Sequence, residues 1–174
     1  FIPGKSQDLR AGFLAMQYWL GGTDENIESM LRFLISRYSR VEGWRGCKTA
    51  MPKDYPDVGL YHPASKAKIF DSFEDLPKLE SPVGTIGILL MRSYVLSGDT
   101  AHYDAVIKRF TEHNIQVIPA FSSGLDARPA IEKYFKNSEK SKIDGLLSLT
   151  GFSLVGGPAY NDSEAAVSVL RELN

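Results

Sequence analysis

The sequence is short of the residues from which most small active sites are built. Its 174 residues include one cysteine, Cys47, and three histidines, His62, His102 and His113. A single cysteine excludes an internal disulfide and a cysteine-rich zinc site, and it fits a reducing, cytoplasmic compartment. The histidines make no i, i+4 pair of the kind that holds a metal on one helix face. Neither charge sign is in excess, since 20 Lys and Arg stand against 21 Asp and Glu. That balance argues against a nucleic-acid binder, which needs a cationic surface to displace counterions. The longest apolar run, Ile86 to Met91, is strand-sized and far below the roughly 20 residues of a membrane span. Glycine motifs for nucleotides are missing too. Neither G-x-G-x-x-G nor G-x-x-x-x-G-K-[ST] occurs, and there is no G-x-S-x-G elbow.

What is present is the composition of an ordinary globular chain, 43% hydrophobic and 24% charged. Its length suits one domain or two small ones, with enough core to need no covalent staple. The opening Phe1-Ile2-Pro3-Gly4-Lys5 has no initiator Met and no signal-peptide pattern, so the chain reads as a segment of a longer protein.

Three stretches differ in pattern. Residues 1–40 read as a helical pair. Leu9, Phe13, Met16 and Leu20 recur at helical spacing, and Gly21-Gly22 ends that helix. Thr23 caps the next helix, where Ile27, Met30, Leu31, Leu34, Ile35 and Tyr38 share a face. Residues 41–82 are punctuated by Pro52, Pro56, Pro63, Pro77 and Pro82 and read as a connector, with a short helix near Ala67 to Phe73 and anchors at Tyr55, Tyr61 and Phe70. Residues 83–174 alternate strand and helix. Strands are expected over Val83–Met91, Ile115–Phe121 and Ile143–Leu149, with helices after Gly98-Asp99, from Asp126 and from Asp162 or Ser163. This spacing predicts an α/β domain with a parallel, flavodoxin-like or Rossmann-like sheet between helical layers, in a domain that continues beyond Asn174; whether the sheet itself is complete is left open by the residues.

In such sheets ligands bind beyond the carboxyl ends of the strands. Those ends carry Arg92-Ser93, Ser122-Ser123-Gly124 and Thr150-Gly151-Phe152, a set of hydroxyls, glycines and a guanidinium that would form a polar crevice. Polar loops there also serve solubility and turn geometry. His102 lies in a helix's first turn beside the crevice, and His62 in the stiff turn Tyr61-His62-Pro63. Gly84 and Gly87 fall inside the first strand, where close helix packing is the expected reason for them. Gly156-Gly157-Pro158 reads as a turn. No pair of acidic residues suggests acid/base work, so the residues alone give a fold and no reaction.

Five blocks in order, FLAMQYWLGGTDEN (Phe13 to Asn26), YPDVGLYHP (Tyr55 to Pro63), LLMRSYVLSGDTAHY (Leu89 to Tyr103), FSSGLDARPAIEKYF (Phe121 to Phe135) and LSLTGFSLVGGPAYND (Leu147 to Asp162), resemble the large porphyrin-binding subunits of magnesium chelatases. The fourth block is most similar to the bacteriochlorophyll type; the cobalt chelatase large subunits are the next nearest family. The resemblance implies an N-terminal part of a much larger protein that takes protoporphyrin IX and Mg²⁺ as substrates. It also implies two AAA+-type partner subunits that bind and hydrolyse ATP. The family's metal-insertion residues are expected beyond Asn174, so no catalytic or metal-binding residue is assigned here. Arg92, His102, Thr150, Gly151 and His62 are the candidate porphyrin contacts. Two roles follow from the resemblance, a wall of the porphyrin pocket or a scaffold that docks partner subunits. An independent small-ligand α/β module is the alternative outside the family.

Overall fold

The computed structural model describes residues 6–137, 140–157 and 159–173. The chain divides into two compact units, Phe1–Tyr55 with Leu96–Gly98, and Pro56–Val95 with Asp99–Asn174.

The first unit is built on two helices, α1 (Ser6–Gly21) and α2 (Asp24–Tyr38). Gly22 takes φ +62°, the left-handed conformation that ends a helix cheaply only at glycine. Thr23 then caps α2, its hydroxyl accepting from the Asn26 amide at 3.3 Å, with Asp24 and Glu25 in the first turn. The helices run antiparallel: Tyr18 packs on Phe33, and the Tyr38 hydroxyl donates to Asp8 near the start of α1. Asn26 is buried and clamps the following segment. Its Nδ2 donates to the Lys53 carbonyl and its Oδ1 accepts from the Lys53 amide, both at 2.9 Å. Tyr18 adds a second tie by donating to the Ala50 carbonyl. The apolar stripe of α1 faces outward, with Leu9, Phe13, Met16 and Leu20 exposed by 51, 66, 56 and 70%. Ala11 and Tyr18 are the buried positions of that helix instead.

In the second unit the predicted parallel strands appear as β3 (Gly84–Met91), β4 (Ile115–Ser122) and β7 (Gly145–Ser148). The stretch expected to be a connector supplies two more, β1 (Val58–Tyr61) and β2 (Ile69–Phe70). The five-stranded order is β2-β1-β4-β3-β7, with β4, β3 and β7 parallel and β1 antiparallel to both β4 and β2. The sheet is therefore mixed rather than wholly parallel. The helix expected near Ala67 to Phe73 is replaced by β2 and a 3₁₀ turn at Phe73–Asp75. Four-residue and two-residue strands among prolines carry too little period-2 pattern to stand out, and pairing with β4 or with each other decides their conformation.

Helices cover both faces. After β3 come α3 (Arg92–Ser97) and α4 (Ala101–Glu112), whose Tyr103 and Ile107 join Ile88, Leu90, Val117 and Phe121 in one core. The opposite face is covered by α5 (Arg128–Ala130) running into a π-turn at Ile131–Phe135, and by α6 (Ser163–Glu172), capped by Asp162. The π-turn buries Ile131, Tyr134 and Phe135 together, and the Tyr134 hydroxyl donates to Asp71 at 2.7 Å. Gly87 answers the expectation of close packing, because a Cβ there would stand 2.9 Å from Ile143 Cδ1 and 3.0 Å from the Phe135 ring. Two small hairpins complete the unit, β5 (Lys136–Asn137) with β6 (Lys140–Ser141) and β8 (Gly156–Gly157) with β9 (Tyr160–Asn161). Gly156-Gly157 thus forms a strand at the start of a hairpin. Pro158 lies outside the described residues.

Candidate functional site at the strand ends

The carboxyl ends of β3, β4 and β7 open on a crevice lined by Met91, Ser122, Asp126, Thr150, Phe152 and Ser153 among others. Its volume is about 20 Å³, the size of a water site and far smaller than a macrocycle. Its polar groups are engaged with one another. The Ser122 hydroxyl donates to the Asp126 carbonyl at 2.7 Å, and the Thr150 hydroxyl is 3.0 Å from that of Ser148 and accepts from the Phe152 amide. Gly151, at φ +74°, makes the turn that carries Phe152 to the rim. Hydrogen bonds from the Arg128 guanidinium hold the Asp126 carboxyl below the ordinary carboxylate range, so it stays ionised at neutral pH. Such an arrangement can offer hydroxyls and amides to a polar edge, but it holds no acid/base pair. Among the described residues no group of three His, Cys, Asp or Glu could hold a metal ion.

The five sequence candidates fall in different places. Thr150 lines the crevice and Gly151 shapes it. Arg92 begins α3 and is turned to the 56–57 loop, its Nε donating to the Pro56 carbonyl at 2.9 Å with Asp57 3.9 Å from the guanidinium. That loop also receives the Ser123 amide on the Asp57 carbonyl, so the segment leading into β1 is tied to the end of β4 by Ser123 and to the end of β3 by Arg92. His102 is exposed in α4, edge-on to Tyr94 with ring centres 5.5 Å apart and against Tyr103 at 3.9 Å.

His62 lies elsewhere. It follows β1, and antiparallel pairing carries that end of β1 away from the crevice, since Val58 is opposite Ser122 and Leu60 opposite Ala120. The imidazole is buried, with Nδ1 accepting from the Ala64 amide at 3.2 Å. Beside it runs an open groove of about 520 Å³ against Asp104, Ile107, Lys108 and Thr111 of α4. The sequence gives no warning of this groove and little of the network behind it. There the Tyr61 hydroxyl donates to Asp104 at 2.7 Å and lies 2.9 Å from the Thr100 hydroxyl. Burial, with the Asp104 charge adding to it, pushes the Tyr61 phenol up to about 12. The one signal in the sequence is Thr100 and Asp104 at i, i+4, a spacing common on solvated helix faces.

Burial lowers the His62 pKa from its ordinary value, with the Asp104 charge opposing in part. As pH falls below the unfolded value of about 6.5, the unfolded chain takes up a proton that the folded imidazole resists. Stability is therefore full above about pH 6.5 and declines as pH drops toward the folded pKa. Urea midpoints of wild type and His62→Gln between about pH 7.5 and 5 should show a flatter slope in the variant. Parallel slopes would mean that the imidazole is not linked to folding.

The fold and the strand-end crevice define an open α/β module whose loops offer hydroxyls and amides, with no metal-holding cluster among the described residues. The chain belongs to the CobN/Magnesium Chelatase family, whose pattern matches residues 16–174. It is 60% identical over 174 residues to the H subunit of magnesium chelatase from Rhodobacter capsulatus, and 55% identical to that from Cereibacter sphaeroides. It is 33% identical over 188 aligned residues to ChlH, the chloroplastic magnesium-chelatase subunit of Oryza sativa. All of this chain is covered in each case, but only 14, 15 and 14% of the relatives' own lengths. A solved structure, the catalytic subunit of cobaltochelatase from Mycobacterium tuberculosis, overlaps 70% of this chain and 9% of that one at 17% identity and a TM-score of 0.47.

Proposed function

We propose that this chain is a scaffold and docking segment of the porphyrin-binding subunit of a magnesium chelatase in (bacterio)chlorophyll synthesis. The whole assembly, a cytoplasmic ligase complex, inserts Mg²⁺ into protoporphyrin IX while two AAA+-type partner subunits hydrolyse ATP. Identity of 60 and 55% to the magnesium-chelatase relatives favours this over the cobalt chelatase branch of the same family. A docking role within the protein is carried by one observation, the outward stripe of Leu9, Phe13, Met16 and Leu20 along α1. Helices of globular chains turn such a stripe inward, and a contiguous exposed one marks an interaction surface.

Phe13→Glu with Met16→Glu in the full-length protein tests the reading. Porphyrin affinity should stay unchanged while assembly with the ATPase partners weakens at least about tenfold. Undiminished assembly would overturn it. The second reading, a wall of the porphyrin pocket, is favoured by the groove beside His62, which has room for part of a macrocycle and a Lys108 ammonium for a propionate. At that groove the reading predicts weaker porphyrin binding in His62→Ala and Lys108→Ala, measured by quenching of tryptophan fluorescence with an inner-filter control.

A further inference from the structure

The five-stranded sheet ends in β7 on one side, and among the described residues nothing pairs with the edge turned away from β3. In a parallel ladder alternate residues bond to opposite neighbours. Thr85 of β3 turns its backbone toward β7, its amide donating to the Asp144 carboxylate and its carbonyl accepting from the Asp144 amide. At the other end the Leu149 amide donates to the Leu89 carbonyl, with Leu89 opposite Ser148. In that phase Gly145 and Leu147 bond to β3, while Leu146 and Ser148 direct their amides and carbonyls outward. The strand carries no proline and no charged side chain, so its free edge is a template for another strand.

The space beside that edge is shaped and apolar. A groove of about 380 Å³ runs between β7 and α6, lined by Ile143, Leu146, Val167, Leu170 and Leu173, with Asp144 and Arg171 also on its wall. Val167 and Leu170 are both 45% exposed, although Val169 of the same helix is buried in the core. So α6 covers the sheet with one side and overhangs the open edge with the other.

Topology says what belongs there. A crossover between parallel strands is right-handed in about 98% of cases. The step β3–α4–β4 moves one way along the sheet with α4 on one face, while the return from β4 to β7 moves the other way with α5 and the π-turn on the opposite face. α6 lies on that same opposite face, packed through Val169 in the core that holds Ile131, Phe135 and Ile143. A right-handed exit from α6 on this face continues past β7, away from β3. The chain also covers only 14 to 15% of the length of its bacterial relatives. From these observations we infer that the open edge of β7 is completed by a parallel strand from the part of the family polypeptide outside these 174 residues, the strand into which α6 leads. It carries apolar side chains at alternate positions facing Leu146, Val167 and Leu170, and its backbone pairs with Leu146 and Ser148. This rests on the topology and on family membership, and is independent of the docking role proposed for α1.

Hydrogen exchange resolved to single amides in the full-length protein tests it without a variant. With the strand in place, the outward amides of Leu146 and Ser148 exchange within about tenfold of the inward amides of Gly145 and Leu147. Outward amides exchanging at least about 100-fold faster than their neighbours would show a free edge and overturn the inference. A second copy of the chain is the competing occupant, so the measurement is made across a dilution series checked by sedimentation. Protection that persists in the monomer supports the strand from the same polypeptide. Protection that disappears as dimers dissociate assigns the edge to another copy and overturns the inference.

Discussion

Phe121→Ala lowers the stability of the second unit by about 3–5 kcal/mol, the range for an aromatic removed from a core. Phe121 is fully buried, and its ring lies across Gly59 on the paired strand, so close that a Cβ on that glycine would stand 2.6 Å from Cζ. Gly59 has no side chain to move into the space, and the strands on either side are held by their ladders. The cavity therefore stays open and its full cost appears. The same geometry sets a signature. Gly59→Ala destabilises the wild type through the clash, yet it should recover part of the loss in the Phe121→Ala background. A double-mutant cycle of urea midpoints followed by far-ultraviolet circular dichroism measures this coupling. Additive effects would show that the ring does not occupy the place above Gly59.

Asn26→Ala should be the most damaging single change in the helical pair, costing about 2–3 kcal/mol. Its side chain satisfies both the amide and the carbonyl of Lys53, and it does so while buried. Alanine removes both bonds at once and loosens the segment that Asn26 holds against α2. Asn26→Asp is no rescue, because it keeps the acceptor for the Lys53 amide but turns a second oxygen on the Lys53 carbonyl. Gly21→Ala should act at the same place, since its Cβ would stand 2.1 Å from Asn26 Nδ2 and push the amide out of register. Limited proteolysis gives the readout. Both variants should be cut faster within residues 40–55, at sites that the wild type protects, and unchanged cutting would show that the clamp does not hold the segment.

These positions also indicate what is legible in the sequence. GGTDEN reads as a helix stop followed by a cap, and it is one, because Gly22 and Thr23 act through local backbone geometry. Asn26 in the same motif gives no sign of its role, since its partner is 27 residues away. The three parallel strands are visible because each lies in a run of apolar residues, and α4 and α6 because they carry helical periodicity. β1 and β2 are not, because they lie in a proline-punctuated stretch without such a run and owe their conformation to pairing with β4 or with each other. The stripe on α1 has the right spacing for a helix, but spacing alone does not say whether a stripe faces a core or a partner. At the candidate site Thr150 and Gly151 stand at the crevice, as their strand-end position predicts. The hydrogen bonds that engage the crevice hydroxyls have no sequence signature. The separation of His62 from them has none either, because the antiparallel direction of β1 decides it.

The two-residue strand β2, flanked by Pro63 and Pro77 and close to Lys66 and Lys68, makes one border of the sheet a poor template. Synthesis delivers β1 and β2 before β3, so that border is made from segments that leave the ribosome before the rest of the sheet. Every strand added afterwards must find its place on the other side of β1. Assembly thus has a direction, and a nascent chain paused after β7 offers a single docking edge rather than two. For a sheet assembled in this order, that restricts the ways in which neighbouring chains on one message can pair with each other instead of with themselves.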